Sequence, residues 1–431
     1  MEFDNKDNKE EYYRGLIESF PENALNYYNL GNVLYRQGKY EEAVESYQKA
    51  IDLNPAHVST YYNLGITLNE MEKYEEAVES YQKAIDLNPT HVSTYYNLGI
   101  ILDKMEKYEE AIEVFQKAVE LNPENDSAYN NLGNVLDRQG KYEEAVEAYE
   151  KAISLKPDNA LYYSNLGNTL ARQKNNKEAI RIYQMAIDLS PGNASVYNNL
   201  GNALDSQKRY EEAVQAYQKA IDIKPNNALY YSNLGNTLSR QGKYEQALKM
   251  YHKVLKLEPD NTYVHYNLGN VLYKEGKYEE AVQTYQKAIE LNPTYVSSYN
   301  NLGLALYKQE KYEEAVQAYQ KAIELNPTHV SSYNNLGLAL YKQEKYEEAI
   351  EYYKEAIKLD PKNIKYNNNL ASALKMTKDY SGALTDLLQK IGIEQVSYDT
   401  MINILENDQF QPDFLRISPN NKIPAIVDQD G

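Results

Sequence analysis

The chain has 431 residues, with 45 Lys and Arg against 63 Asp and Glu, a net charge of -18 and a pI near 4.9. That balance argues against binding to nucleic-acid phosphates or to an anionic membrane surface, both of which draw on a Lys/Arg excess. The lack of cysteine rules out disulfides, thiolate zinc sites and cysteine nucleophiles. Without a basic-then-apolar N-terminal stretch, or any apolar run near 18 residues, the expectation is a soluble, cytoplasmic protein.

In chain order, residues 11–21 come first. They read as a lone second helix, with Tyr13 and Pro21 standing where Tyr47 and Pro55 stand in the next unit. Residues 24–57 then show two amphipathic stretches. Tyr27-Tyr28-Asn29-Leu30-Gly31-Asn32-Val33-Leu34 has apolar residues at helical spacing, Gln37-Gly38-Lys39 breaks the pattern, and residues 40–51 resume it. Asn54-Pro55 stops the second stretch, because the residue before Pro avoids the helical region and Pro supplies no N–H. Each unit is thus a helix-turn-helix hairpin. Gly31 and Ala43 are expected to remove bulk where two helices come close, with Tyr27, Leu30, Tyr47 and Ala50 supplying apolar surface around that contact. A lone hairpin cannot bury that surface, so neighbours must stack.

The unit returns every 34 residues. Its Gly falls at Gly31, Gly65, Gly99, Gly133, Gly167, Gly201, Gly235, Gly269, Gly303 and Gly337, with Ala371 in an eleventh copy. The period and the aromatic, Leu-Gly, Ala, aromatic, Ala, Pro pattern resemble the tetratricopeptide repeat, with Tyr27 where Trp is usual. The resemblance implies an all-α fold: a right-handed superhelical solenoid of eleven hairpins starting at residues 24, 58, 92, 126, 160, 194, 228, 262, 296, 330 and 364. First helices would line a concave groove. The expected organisation is a half-repeat cap at 1–23, the solenoid at 24–383, and a small α/β fragment at 384–431 partly merged with the last repeat. Copies nine and ten are identical from their starts through Ala349, which points to recent duplication.

One polar position never varies. Two residues before each Gly, or Ala371, stand Asn29, Asn63, Asn97, Asn131, Asn165, Asn199, Asn233, Asn267, Asn301, Asn335 and Asn369. A second Asn follows three residues later at Asn32, Asn134, Asn168, Asn202, Asn236 and Asn270, on the same helical face. Asn is a mediocre helix former, so its recurrence needs a reason. One reading has each amide bond to the next repeat's backbone and fix the stacking. The other has the amides face the groove and hold the N–H and C=O of an extended peptide, whatever its side chains. The column resembles the asparagine ladder of O-GlcNAc transferase and of kinesin light chains, which implies recognition of a peptide backbone. The residue before each Asn is Tyr, Asn or Ser and never basic, so the charge-assisted bonds that grip a peptide carboxylate are missing there. Tyr28, Tyr62 and Tyr96 serve either ligand stacking or packing.

Basic residues near the end of the first helix, such as Arg36, Lys104, Arg138 and Arg172, are expected to complement the helix dipole and pair with the Glu-Glu opening the second helix; the alternative is a basic rim for acidic peptides. The acidic surplus on second helices reads as a solvated outer face. Of the five histidines, His57, His91 and His329 sit in turns and His252 and His265 within helices. None has a metal-ligand partner at i+4, and no phosphate loop or nucleophile elbow occurs, so neither cofactor nor metal is expected.

From Leu384 the period fades. Tyr398–Ile404 reads as a strand, and Asn420-Asn421-Lys422-Ile423-Pro424-Ala425-Ile426-Val427-Asp428 resembles the central part of a glutathione transferase N-terminal domain. That implies a cis Pro424, an Ile423 main chain pairing with the cysteinyl part of glutathione, and Lys422 near its glycyl carboxylate. The helix-start Ser, Tyr or Cys that activates the thiol, and the Glu-Ser pair for the γ-glutamyl group, are absent. A vestigial glutathione-binding module follows, not a catalyst. The expected function is a non-enzymatic scaffold for protein or peptide partners; the alternative is a substrate-recognition arm working with a separate protein glycosyltransferase.

Overall fold

The computed structural model describes residues 6–377. They form twenty-two α-helices, with no strand among the described residues. The chain divides into two compact units, residues 1–237 and 238–431.

The first unit opens with the helix Lys6–Ser19, which starts five residues before the sequence pattern does. It packs on the first helix of the first hairpin and is tied down by ion pairs: Arg14 with Glu10 (2.9 Å) and Glu42 (2.8 Å), and Lys39 with Glu10 (2.8 Å). First helices then run Ala24–Arg36, Val58–Glu70, Val92–Lys104, Asp126–Arg138, Ala160–Arg172 and Ala194–Ser206, and a seventh, Ala228–Arg240, begins in this unit. Each of the first six is followed by a second helix, from Tyr40–Leu53 to Tyr210–Ile223, and the two pack as a hairpin.

The hairpin is built on one aromatic ring. Tyr47 is 1% exposed, and a Cβ added to Gly31 would lie 2.6 Å from its ring. Gly31 therefore removes bulk where its helix meets the second one, and the group that fills the space is the Tyr47 ring. Ala43 and Ala50, both fully buried, flank that ring on the second helix, and Leu30 and Leu34 close the core from the first. The same pairing recurs at Gly65 with Tyr81, Gly133 with Tyr149 and Gly167 with Tyr183, while Phe115 takes the place of Tyr against Gly99.

The turns inside the hairpins need a left-handed residue. Gly38 (φ 78°) and Gly140 (φ 77°) adopt it freely, but Glu72, Glu106, Lys174 and Lys208 hold the equivalent position with φ of 58–62°. Between hairpins, the Asn before Pro has an extended backbone and its side chain closes the turn: Asn54 Oδ1 accepts from the Ala56 N–H (3.2 Å). Asn23, Asn125, Asn159 and Asn193 then cap the next first helix through their side chains.

The second unit repeats this plan. Its first helices are Thr262–Lys274, Val296–Lys308, Val330–Lys342 and Ile364–Met376; its second helices are Tyr244–Leu257, Tyr278–Leu291, Tyr312–Leu325 and Tyr346–Leu359. Tyr285, Tyr319 and Tyr353 sit on Gly269, Gly303 and Gly337. The expected second helix of copy eleven, the strand at 398–404 and the glutathione-transferase-like segment with Lys422, Ile423 and Pro424 lie outside the described residues.

Candidate functional site

All eleven asparagines of the invariant column fall on first helices and are half-buried. In the first unit, Asn63 Nδ2 donates to Tyr28 Oη (3.3 Å) and Asn32 Oδ1 (2.7 Å) of the preceding first helix. Asn97 and Asn131 donate to Tyr62 (3.0 Å) and Tyr96 (3.2 Å). Asn165 reaches Asn130 (2.9 Å) and Asn134 (3.2 Å), Asn199 reaches Asn168 (2.9 Å), and Asn233 reaches Asn198 (2.9 Å). In the second unit, Asn301 donates to Tyr266 (3.1 Å) and Asn270 (2.8 Å), Asn335 to Asn300 (3.1 Å) and Asn369 to Asn334 (2.7 Å). The column thus laces neighbouring first helices together. Its partners are side chains of the preceding repeat, where the stacking reading had expected backbone of the next one.

The second column is the inner anchor of this lacing. Asn32 Oδ1 also accepts the Tyr47 hydroxyl (2.8 Å), so the ring that fills the hairpin fixes the amide that meets the next repeat. Asn134 accepts from Tyr149 (2.9 Å), Asn168 from Tyr183 (2.9 Å), Asn202 from Tyr217 (2.8 Å) and Asn270 from Tyr285 (2.8 Å). Asn236 is half-buried on its first helix as well.

These bonds decide which atoms remain available. With its oxygen committed, the Nδ2 of Asn32, Asn134, Asn168, Asn202 and Asn270 has no protein acceptor among the described residues. Conversely, Asn63, Asn97, Asn165 and Asn233 spend Nδ2 and keep Oδ1 without a protein donor. At Asn131, Asn199, Asn301 and Asn335 the oxygen is engaged too, by the Asn before it, as in Asn130 Nδ2 to Asn131 Oδ1 (3.2 Å) and Asn300 Nδ2 to Asn301 Oδ1 (3.0 Å). The face of the first helices therefore offers donors from the second column and acceptors from part of the first, three residues apart on one side of each helix. Leu25, Leu161 and Leu229 occupy the position four residues before the column in the first unit and are exposed, as is Tyr263 in the second.

Tyr28, Tyr62 and Tyr96 are packing residues. Tyr28 lies edge-on to His57 (4.9 Å between centroids), Tyr62 stands likewise to His91 (5.0 Å), and Tyr96 contacts the Phe115 ring. His57 and His91 in turn contact the hydroxyls of Thr60 (2.6 Å) and Thr94 (2.5 Å), and His329 that of Ser332 (2.7 Å); burial pulls the His329 pKa down. Tyr295 stands at the equivalent turn position next to Ser298, and the buried Ser298 Oγ has no partner.

The basic residues pair differently from expectation. Arg138 bonds Asp103 and Arg172 bonds Asp137, each in the preceding first helix, while Lys104 reaches Asn69 (3.1 Å). Asp137 also accepts from Thr169 (2.7 Å), and Asp205 from Thr237 (2.7 Å). Sequence reasoning missed these aspartates. The signal was the recurrence of Asp one residue before the basic position. No group of His, Asp and Glu suited to a metal occurs among the described residues, and no helix there is long and apolar enough to cross a membrane.

Family models of the tetratricopeptide repeat match residues 216–249, 235–276, 269–310 and 300–364, and a model of the C-terminal domain of cilia and flagella-associated protein 70 matches residues 18–228. Among solved structures, the chain is similar to YrrB, described as a TPR protein with an unusual peptide-binding site, at 28% identity over 43% of this chain and 95% of that one (TM-score 0.38). It is similar to MamA at 28% identity over 40% and 94% (TM-score 0.37), and to yeast Tom70 at 18% over 89% and 99% (TM-score 0.42). Among curated proteins, an uncharacterized GST-like protein of Streptococcus mutans serotype c is 42% identical over 43 residues, which are 10% of this chain. The chain spans only 16% of the length of that relative.

Proposed function

This chain is a tetratricopeptide repeat protein, a protein-interaction scaffold, and we propose that it holds an extended polypeptide by its backbone on the face of the first helices. The observation that supports this is the division of labour in the asparagine pairs. In part of the ladder one end of the amide is spent inside the fold and the other has no protein partner among the described residues: Nδ2 at Asn134, Asn168 and Asn202, Oδ1 at Asn63, Asn97, Asn165 and Asn233. Donors and acceptors in rows match the alternating C=O and N–H of an extended chain, which offers the same groups whatever its sequence. Neighbouring first helices pack about 10 Å apart, about three residues of extended chain, so each repeat serves every third peptide unit. On this reading the protein has no catalytic role of its own.

The test is a panel of neutral, unstructured, fluorescent peptides of varied sequence, each made also with N-methyl groups at every third residue. Backbone recognition predicts similar affinities across the panel and loss of binding on N-methylation. Affinities that follow side-chain sequence and ignore N-methylation would refute it.

A second reading concerns the C-terminal segment. The 43-residue similarity of this chain to a GST-like protein, together with the Asn420–Asp428 sequence, supports a vestigial glutathione-binding module at Lys422, Ile423 and Pro424. Retention of the full chain on glutathione resin tests it, and flow-through without retention rejects it.

A further inference from the structure

We infer that the first-helix face of the second unit, residues 238–377, is specific for an acidic partner: an extended segment with acidic side chains about every third residue and aliphatic residues between them. The inference rests on the reading that first helices carry the peptide, and adds the chemistry of the side chains recognised there.

The argument starts from a substitution inside the repeat. In the first unit, Asp103 and Asp137 end the first helix one residue before the basic position, and they neutralise Arg138 and Arg172 of the following repeats. In the second unit, Tyr273, Tyr307 and Tyr341 stand where those aspartates stood. Each tyrosine turns instead to the tyrosine that opens its own second helix, with ring centroids 5.4 Å apart for Tyr273–Tyr278, 5.4 Å for Tyr307–Tyr312 and 5.2 Å for Tyr341–Tyr346. Because each such aspartate pairs with the basic residue of the next repeat, Tyr273 and Tyr307 leave Lys308 and Lys342 without a carboxylate there, and Ser239 stands at the corresponding position for Lys274. All three are exposed, and none forms an ion pair among the described residues. Lys274 lies over the Tyr244 ring (5.8 Å), which leaves its charge uncancelled. Two acids of this unit are engaged by other lysines, Glu275 by Lys277 (2.9 Å) and Glu279 by Lys311 (3.7 Å), and neither Glu310 nor Glu344 forms an ion pair with Lys308 or Lys342.

The three lysines recur at one-repeat intervals and lie seven residues, two helical turns, after Asn267, Asn301 and Asn335, on the same face. Between column and lysine, the half-buried Leu304 and Leu338 replace the second asparagine. Each of these two repeats therefore presents an aliphatic side chain beside an unpaired cation. In a protein of net charge -18, a row of uncompensated lysines is the reverse of the overall field and complements a carboxylate row on a partner.

The probe is a fluorescein-labelled peptide with Glu at every third position and Leu between, tested against its Glu→Gln counterpart on the full-length protein by fluorescence anisotropy at two salt concentrations. The expected results are preferential binding of the Glu peptide, weakening with salt, and a loss of about tenfold or more in Lys308→Glu with Lys342→Glu. Lys287→Glu with Lys321→Glu makes the same change of net charge at second-helix lysines paired with Glu290 and Glu324, and should leave affinity unchanged. Equal binding of the two peptides, or equal effects of the two lysine pairs, overturns the inference. The Ser331→Trp variant, which obstructs this face four residues before Asn335, separates the two failures. If it weakens both peptides alike while the lysine reversal does nothing, the face still carries peptide and only the acidic preference falls. If it changes neither, the reading of the face falls as well.

Discussion

Replacing Asn134, Asn168 and Asn202 together by Asp separates ligand binding from repeat stacking. Each Asp keeps an oxygen for the tyrosine hydroxyl below it, now at 2.9 Å for Tyr149, 2.9 Å for Tyr183 and 2.8 Å for Tyr217. It also keeps the acceptor used by Asn165 (3.2 Å) and Asn199 (2.9 Å). What disappears is the outward Nδ2. One hydrogen bond contributes about 1 kcal/mol net, so three lost donors amount to about 3 kcal/mol, or roughly a hundredfold in Kd. Stability should hardly move, because every internal bond survives. The contrasting pair, Asn165→Ala with Asn199→Ala, removes the donors that lace the repeats and should cost about 1 kcal/mol per bond in urea unfolding. A neutral peptide serves for anisotropy, so that the added negative charges do not themselves repel it. If the triple Asp variant binds like the parent protein, the second column is not the donor row. If affinity falls only in proportion to stability in both sets, the asparagines act on stacking alone.

Helices Val296–Lys308 and Val330–Lys342 have the same sequence, yet Ser298 Oγ is buried without a partner while Ser332 Oγ donates to Asn300 (3.2 Å) and contacts His329 (2.7 Å). Ser332→Ala should therefore destabilise by about 1 kcal/mol and Ser298→Ala should be neutral or stabilising, as read by urea unfolding; equal effects would contradict the assignment. Lys174 (φ 62°) and Lys208 (φ 59°) occupy the left-handed turn position that Gly38 and Gly140 fill elsewhere. Lys174→Gly and Lys208→Gly should each stabilise by about 0.5–1 kcal/mol, the relief of strain less the entropy that Gly loses on folding, and a lowered unfolding midpoint would count against this. Burial raises the pKa of Tyr47, Tyr81, Tyr149 and Tyr183 in the first unit, and of Tyr251, Tyr285, Tyr319 and Tyr353 in the second. These hydroxyls stay protonated in the folded chain while the unfolded chain releases protons near pH 10. Their stabilising contribution is complete below that pH and falls above it by up to about 1.4 kcal/mol per unit for each tyrosine. Circular dichroism should show a steep loss of helix above pH 10, and Tyr47→Phe with Tyr81→Phe should blunt it.

The period, the hairpins and the first-helix starts could be read from the sequence because each depends on residues within about twenty positions. Apolar spacing draws the helices, Asn-Pro ends them, and the Gly sits sixteen residues before the Tyr that covers it. The direction of each asparagine amide depends on longer distances. Asn165 bonds residues 35 and 31 positions earlier, which are one period plus one and one period less three. Those offsets were open to inspection, since the residue before the column is always Tyr, Asn or Ser, each able to accept an Nδ2–H. What sequence alone does not supply is the competition for that amide. Stacking and ligand binding draw on the same side chain, but an amide has two ends, and the hydroxyl of a buried tyrosine helps fix which one is spent inside the fold. In Asn168, Tyr183 donates to the oxygen and so turns the nitrogen outward. The ring that makes the hairpin fold is therefore the same group that sets the polarity of the exposed face. Core and candidate site cannot be assigned to separate sets of residues in this repeat: among the described residues Asn202 Oδ1 is held by the Tyr217 hydroxyl alone, so a Tyr217→Phe change would free Asn202 to turn and should alter peptide affinity more than stability.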